Sequence, residues 1–438
     1  MQPKKSIAPK ESSKNSKEAQ WNLLWNNLAR KIVLLQFEKL EIGQLILEEN
    51  RRSISYGRFE PDFPIFVTIK VLNSKMFFDI AAKGLNGAAE AYFKGWWTCS
   101  DLTQLVQLFV RNRNMAENLE SGLAWAGTML FKLQHALRRN GLQGSFRNIR
   151  AHYDLGDEFF ETFLDSTKMY SCGIFKDERS SLYDASLNKI KRICKKLELS
   201  EKDQVLEIGT GWGGFALYAA THIGCHITTT TISEKQYKYT RKKVHELGLQ
   251  ERIKVIKKDY RELKGQFDKL VSIEMIEAVG HHYYNIFFQT CNGLLKPHGR
   301  MLLQGIIITD YLYEEAKRFA DFIKTYIFPG SCIPSIGVLC RAAGKTTDMR
   351  LFHLEDITPH YAKTLSSWRN KFLENIEKIR DLGYSEEFIN LWVFYFCYCE
   401  GGFLERQIGV VQMLFTKPLC RMSPILPDLI VEARKPQT

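Results

Sequence analysis

Between Gln204 and Ile308 short apolar, β-branched runs alternate with longer amphipathic ones, and no other feature of the chain limits its fold as strongly. The apolar runs are Gln204–Ile208, His226–Thr231, Ile253–Lys257, Lys269–Ile273 and Arg300–Ile308. Parallel strands need a crossover connection, usually helical, so this alternation builds a parallel sheet with helices on both faces. The expected fold is α/β with a Rossmann-like sheet.

The first of these runs leads into Val205-Leu206-Glu207-Ile208-Gly209-Thr210-Gly211-Trp212-Gly213-Gly214, after which Phe215–Thr221 reads as a helix. Glycines let the backbone turn sharply and approach a ligand closely. The next strand follows about twenty residues on, the context a cofactor loop requires. A dinucleotide site places an acid at the end of that second strand. Here the strand ends Thr229-Thr230-Thr231-Ile232-Ser233, without one. Asp259 closes the third strand in Lys257-Lys258-Asp259-Tyr260; it suits the adenine amino group of S-adenosylmethionine or serves as a turn residue.

The formal net charge of +12 favours anionic partners. No zinc-finger spacing or RRM signature points to nucleic acid, which leaves phosphate groups or an anionic bilayer surface. The ten cysteines are scattered without a CxxC pair, and the lysine-rich start has no apolar core of a signal peptide. Free thiols in a reducing cytoplasm are expected. The longest apolar stretch, Phe388–Cys399, is too short to span a bilayer. The expected location is cytoplasmic, peripheral at the inner face of the membrane.

Residues 1–20, rich in Lys and Ser, read as a disordered basic tail. Trp21, Leu24, Trp25, Leu28, Ile32 and Leu35 then recur at helical spacing, either as a helix packed on its own core or as a basic amphipathic helix on a membrane. Ser53–Ala82 reads as short strands, including Phe66–Leu72 and Met76–Ala82, and Asp101 can cap a helix through Val106 and Phe109. Residues 21–137 are thus expected to form a small α+β domain associated with lipid or membrane. Arg138–Arg150, with Gly141, Gly144 and four arginines, reads as a linker. Residues 151–438 are expected to form the larger, cofactor-binding part, with a helical tail rich in aromatics around Trp392–Tyr398.

The chain resembles the cyclopropane-fatty-acyl-phospholipid synthases and their mycolic acid relatives. The resemblance rests on His152-Tyr153-Asp154-Leu155-Gly156, Met169-Tyr170-Ser171-Cys172, the glycine loop with Trp212, Thr231-Ile232-Ser233 with Gln236, and Asp259-Tyr260-Arg261. It continues in Glu274-Met275-Ile276-Glu277-Ala278-Val279-Gly280, Tyr326-Ile327-Phe328-Pro329-Gly330, and His360-Tyr361 before Thr364-Leu365. It implies a class I methyltransferase sheet with helical insertions. It also implies transfer of a methylene group from S-adenosylmethionine to the cis double bond of a phospholipid acyl chain.

By the resemblance, the base that closes the ring is a bound bicarbonate. Cys172 would reach it through its backbone N–H as much as its thiol, Glu277 would hold and polarise it, Tyr361 would hydrogen-bond it, and Ile306 would add a backbone contact. Tyr170, Ser171, Gly209, Gly211, Thr231 and Gln236 correspond to cofactor contacts, joined by Asp259 and Tyr260; no metal is implied. Outside those motifs Cys172, Glu277 and Tyr361 would pass for a buried small hydrophobe, a helix cap and a core aromatic. The chain departs from well-known members at Gln304, where they have histidine, and at Thr210, where many have cysteine. Gln can orient an anion but does not titrate near neutral pH. Alternatives are a methyl-branching or methylenating lipid enzyme, an N-methyltransferase, and an inactive lipid-binding scaffold. A homodimer is permitted.

Overall fold

The computed structural model describes residues 12–115, 155–319 and 321–426. The expected linker at Arg138–Arg150 and the His152-Tyr153-Asp154 motif lie outside them, as does the expected tail up to residue 11. Helix α1 spans Ser12–Phe37 and so begins inside the segment expected to be disordered. Lys14, Lys17, Glu18, Ala19 and Gln20 are good helix formers, and they extend a helix that tertiary packing anchors further on. Ala29, Val33 and Phe37 are its buried stripe, whereas Leu24, Trp25, Leu28 and Leu35 remain exposed. The helix therefore packs on a core along one side and presents an apolar face along another.

The N-terminal sheet is built from β1 (Gly43–Glu49), β2 (Arg52–Arg58), β3 (Phe66–Val71) and β4 (Trp97–Cys99), in the order β2-β1-β3-β4. Strands β1 and β4 were not anticipated. Met76–Ala82, expected as a strand, instead opens helix α2 (Lys75–Phe93). Its buried residues Met76, Phe77, Ile80 and Ala81 follow a helical period with Phe78 exposed, a pattern that a short apolar run does not distinguish from a strand. Asp101 does cap α3 (Leu102–Arg111), its side chain accepting from the Gln104 N–H.

The larger sheet has seven strands. After α4 (Leu182–Leu197) come β5 (Gln204–Ile208), α5 (Gly214–His222), β6 (His226–Thr231), α6 (Glu234–Glu246), β7 (Ile253–Lys257) and β8 (Phe267–Ile273). Then follow α7 (Tyr284–Leu294), β9 (Leu295–Ile308), α8 (Ile336–Thr346), β10 (Arg350–Asp356), α9 (Thr358–Glu374), α10 (Glu386–Leu404) and β11 (Ile408–Thr416). The order is β10-β11-β9-β8-β5-β6-β7; β9 to β7 run parallel, and β11 and β10 add antiparallel at one edge. The five expected strands are all present, and β10 and β11 were not anticipated.

Helix α10 packs against α9, α3 and α2, and one continuous apolar core runs from Val33 and Phe77 to Tyr361, Trp392 and Val410. Polar contacts reinforce that seam: Arg369 donates to Thr103 at 2.9 Å and pairs with Glu400 at 3.2 Å, and Arg111 pairs with Glu405 at 2.7 Å. The approach of α10 to α3 depends on Gly401, where a Cβ would stand 2.7 Å from the Val106 Cβ. Gly401→Ala is therefore expected to destabilise the protein by about 1–3 kcal/mol through overpacking. Gly293→Ala, in α7 with open space around it, should instead stabilise by about 0.5–1 kcal/mol. Thermal melts check both, and equal melting temperatures for the two variants would contradict the close helix contact.

Candidate active site

In an open α/β sheet, ligands bind beyond the carboxyl ends of the strands. At that edge Gly209 (φ 99°) and Gly211 (φ 53°) adopt backbone angles that side chains disfavour. The N–H groups of Gly209 and Thr210 both donate to the Thr230 carbonyl, at 3.1 and 2.9 Å, which ties the loop to β6. A Cβ on Gly214 would stand 2.5 Å from the Met169 sulfur and 2.9 Å from the Thr167 carbonyl. The start of α5 thereby brings the segment carrying Tyr170 and Ser171 against the loop. Beneath it the Thr229 hydroxyl donates to buried Glu207 at 2.6 Å. Burial pushes the Glu207 carboxyl up to about 8, with that hydrogen bond pulling the other way.

Thr231 donates to Gln236 at 2.8 Å. Asp259 accepts from Arg261 Nε and Nη2, both at 2.7 Å. The buried Tyr260 hydroxyl and Trp212 indole N–H have no hydrogen-bond partner among the described residues. The constrained glycine turn, the acid closing β7 and these orphaned polar atoms fit a nucleoside-bearing cofactor such as S-adenosylmethionine. Tyr170, Ser171, Gly209, Gly211, Thr231, Gln236, Asp259 and Tyr260 all line one cavity of about 530 Å³.

The same cavity continues to Glu274, Glu277, Ile306 and Tyr361. Glu274 directly follows β8 in a left-handed conformation (φ 49°), held by its own N–H donating to the Gln304 carbonyl at 2.8 Å. Its Oε1 accepts from the Cys172 backbone N–H at 2.9 Å and from Gln304 Nε2 at 2.8 Å; its Oε2 accepts from the Tyr361 hydroxyl at 2.6 Å. Glu277 accepts from the Ile306 N–H through one oxygen, and its other oxygen has no partner among the described residues. Burial, then the neighbouring Glu274 charge, push the Glu277 carboxyl up to about 8. Burial also raises Glu274, but Lys189, Tyr361, Gln304 and the Cys172 N–H oppose that rise.

Every expected site residue thus converges, but with corrections. Cys172 and Gln304 stand behind Glu274, outside the cavity lining. The Cys172 thiol donates to the Gly173 carbonyl at 3.2 Å and is raised well above its ordinary pKa by burial, and it is the backbone N–H that reaches Glu274. The bicarbonate does not fit as expected: the Cys172 N–H, the Gln304 amide and the Tyr361 phenol already meet on Glu274, and the Ile306 N–H on Glu277. Sequence reasoning gave Glu274 no role, although it stands in Glu274-Met275-Ile276-Glu277, three residues before the chosen carboxylate. The exchange of His for Gln at 304 was a usable signal, because a fixed amide donor suits a carboxylate.

Two further partners were also missed. Gln412 on β11 donates to Gln304 Oε1 at 2.9 Å, which orients the amide so that its NH2 faces Glu274. Lys189 on α4, fully buried, donates to Ser171 Oγ at 2.5 Å, and Glu274 is the leading influence offsetting the lowering of its pKa by burial. Lys189 lies in a lysine-rich helix, and nothing in its spacing sets it apart from Lys191, Lys195 or Lys196. Apolar side chains make up much of the remaining lining, among them Phe322, Phe394 and Tyr398, with Trp97, Leu105, Val106 and Phe109 from the N-terminal part. They stand together with the charged Lys83, Arg113, Glu315, Asp321 and Lys324.

Residues 141–413 match the mycolic acid cyclopropane synthetase family. The chain is 33% identical over 340 residues to the tuberculostearic acid methyltransferase of Mycobacterium tuberculosis, covering 76% of this chain and 79% of that one. It is 33% identical over 354 residues to the cyclopropane-fatty-acyl-phospholipid synthase of Escherichia coli, covering 80% and 87%. A solved mycolic acid cyclopropane synthase complexed with SAH and CTAB superposes with a TM-score of 0.59 at 31% identity, covering 62% of this chain and 98% of that one.

Glu207 sets a pH dependence on stability. Its folded pKa, near 8, lies above its unfolded value, so between about pH 4.5 and 8 the folded state holds a proton that the unfolded state has lost. Its contribution therefore favours folding at low pH and turns unfavourable as pH rises through that window. Glu207→Gln should match the wild type near pH 5 and exceed its melting temperature near pH 8, measured without cofactor. Parallel melting profiles across that range would exclude a buried protonated Glu207.

Proposed function

The chain belongs to the mycolic acid cyclopropane synthetase family, and on that premise we propose that it converts the cis double bond of a phospholipid acyl chain into a cyclopropane ring. It is an S-adenosylmethionine-dependent methyltransferase. The observation that carries the finer reading is the lining of the cavity. The cofactor residues, two carboxyl groups and many aromatic and aliphatic side chains share one cavity. A long hydrocarbon chain with reactive atoms beside the cofactor suits such a lining.

The bound cofactor supplies an electrophilic methyl group on a positively charged sulfur. An alkene is a weak nucleophile, so the site's task is to align the two partners and keep water away. Phe322, Phe394, Tyr398 and the N-terminal residues Val106 and Phe109 exclude water along the apolar length. Tyr170 and Glu274 both line the cavity, where an aromatic ring and a carboxylate would stabilise positive charge developing on the acyl chain. The likeness to the phospholipid synthase extends over 80% of this chain, against 62% for the mycolic acid synthase structure, which favours a phospholipid substrate. The likeness to a tuberculostearic acid methyltransferase supports a second reading, a methyl-branched or methylenated product from the same cavity.

The substrate's double bond lies beneath the headgroups, so the enzyme has to dock on the bilayer. No helix among the described residues is long and apolar enough to cross a membrane. The exposed face of α1, with Leu24 61% and Trp25 47% accessible beside Leu28, supports insertion of side chains from the surface, and the net charge of +12 supports attraction to anionic lipid.

Expressed in a host lacking its own synthase, the chain should add one CH2 to unsaturated phospholipid acyl chains without a methyl-branch fragmentation pattern. A branched pattern would select the second reading, and unchanged lipids would remove both. Vesicle binding should weaken with salt but persist, because apolar insertion is not screened. Trp25→Glu combined with Leu28→Glu should weaken binding to anionic vesicles about tenfold or more while sparing cofactor binding, since each charge is costly to insert. Unchanged co-sedimentation of the folded double variant would rule out α1 as the docking face.

A further inference from the structure

We infer that Glu274 is itself the base that closes the ring, a carboxylate built into the chain where the family resemblance supplies a bicarbonate ion. The inference rests on the cyclopropane reading above. Its starting point is the mismatch at the anion seat. The donors assigned to bicarbonate, the Cys172 N–H and the Tyr361 hydroxyl, reach Glu274 at 2.9 and 2.6 Å, and the Gln304 amide adds a third contact at 2.8 Å. A free anion would compete with a covalently attached carboxylate for the same donors and would meet its negative charge at close range.

The surroundings give Glu274 what a base needs. Burial raises its proton affinity above that of an exposed carboxylate, while the buried Lys189 ammonium and three hydrogen bonds favour its ionised form. Glu277 is treated differently: it has one hydrogen bond and a like charge beside it, and near neutral pH it holds its proton. Two carboxyl groups in one cavity are thereby divided into a base and a neutral acid. Gln304 takes its place in the same logic. Gln412 fixes its amide, Lys196 donates to Gln412 at 2.9 Å, and Glu355 pairs with Lys196 at 2.6 Å, so the NH2 facing Glu274 cannot turn away without breaking a buried chain of contacts.

The step balances without a further reactant. The alkene's electron pair bonds one of its carbons to the methyl carbon as the C–S bond breaks. The electrons of that bond leave on the sulfur of S-adenosylhomocysteine, and positive charge is left on the other alkene carbon. A Glu274 oxygen takes a proton from the added methyl group. The electron pair of that C–H bond becomes the last C–C bond of the ring and discharges the cation. The products are S-adenosylhomocysteine, a neutral cyclopropane and a protonated Glu274, which loses its proton to solvent before the next turnover.

The test uses the full chain, methyl-labelled S-adenosylmethionine and vesicles of cis-monounsaturated phospholipid, in buffer freed of carbon dioxide. Wild-type transfer of label to lipid should stay within about twofold whether bicarbonate is absent or added. Glu274→Gln should lose about a hundredfold or more of turnover with cofactor binding retained. Glu274→Gly suits the left-handed backbone at this position and empties the seat, so added bicarbonate or formate should restore its turnover about tenfold over its own baseline. The inference is overturned if the wild type loses most of its turnover without bicarbonate and recovers when it is added, or if folded Glu274→Gln turns over normally. Label that never reaches lipid with the wild type at any bicarbonate level, despite intact cofactor binding, overturns the cyclopropane reading itself and this inference with it.

Discussion

A carboxylate taken out of water has to be met by donors, and meeting Glu274 organises much of this molecule. Its partners come from separate parts of the fold: Cys172 from the segment before α4, Gln304 from β9, Tyr361 from α9, and the Lys189 charge from α4. None is near it in sequence, so the carboxylate is satisfied only when sheet and helices have closed around it. The left-handed backbone at Glu274 is the local cost of aiming the side chain into the cavity, and a conformation of that kind persists only where the surroundings over-determine it.

That requirement explains the antiparallel edge of the sheet. Strand β11 pairs with β9 so that Gln412 stands opposite Gln304, and both side chains are fully buried. Each amide would be costly to bury alone; together they satisfy one another, and Lys196 accounts for the remaining oxygen. Lys196 is in turn neutralised by Glu355 on β10, whose carboxyl falls to about 2: burial acts to raise it, but hydrogen bonds and charges from Arg192 and Lys196 outweigh burial. The two added strands therefore serve as scaffolding for one amide orientation beside Glu274.

The parallel sheet and the cofactor loop were legible in the sequence because their signals are local: strand-length β-branched runs, a glycine cluster, and an acid closing β7. The N-terminal part was less so. Met76–Ala82 is short and apolar, and only the continuation to Phe93, with its buried Ala89 and Ala91, makes it a helix. The motifs picked out residues that converge around one cavity, yet they gave Glu274 no place among them, because hydrogen-bond partners spread from Cys172 to Tyr361 leave no spacing to read. Residue type was informative where partners were not: Gln304 in place of histidine marks a position where orientation, rather than titration, is needed.

On the function proposed above, the N-terminal part has a stake in the chemistry as well as in docking. A cation on a hydrocarbon chain is destroyed by any water that reaches it, so the proposed reaction needs a cavity that excludes water. Trp97, Leu105, Val106 and Phe109 line the same cavity as Gly209 and Glu274, and α3 lies close enough to α10 that Gly401 tolerates no side chain between them. The cavity wall is thus shared by both parts of the protein. On the proposed function, the exposed apolar face of α1 would draw the enzyme to lipid and the α3 side chains would receive the acyl chain, which would place docking and exclusion of water in the same N-terminal unit.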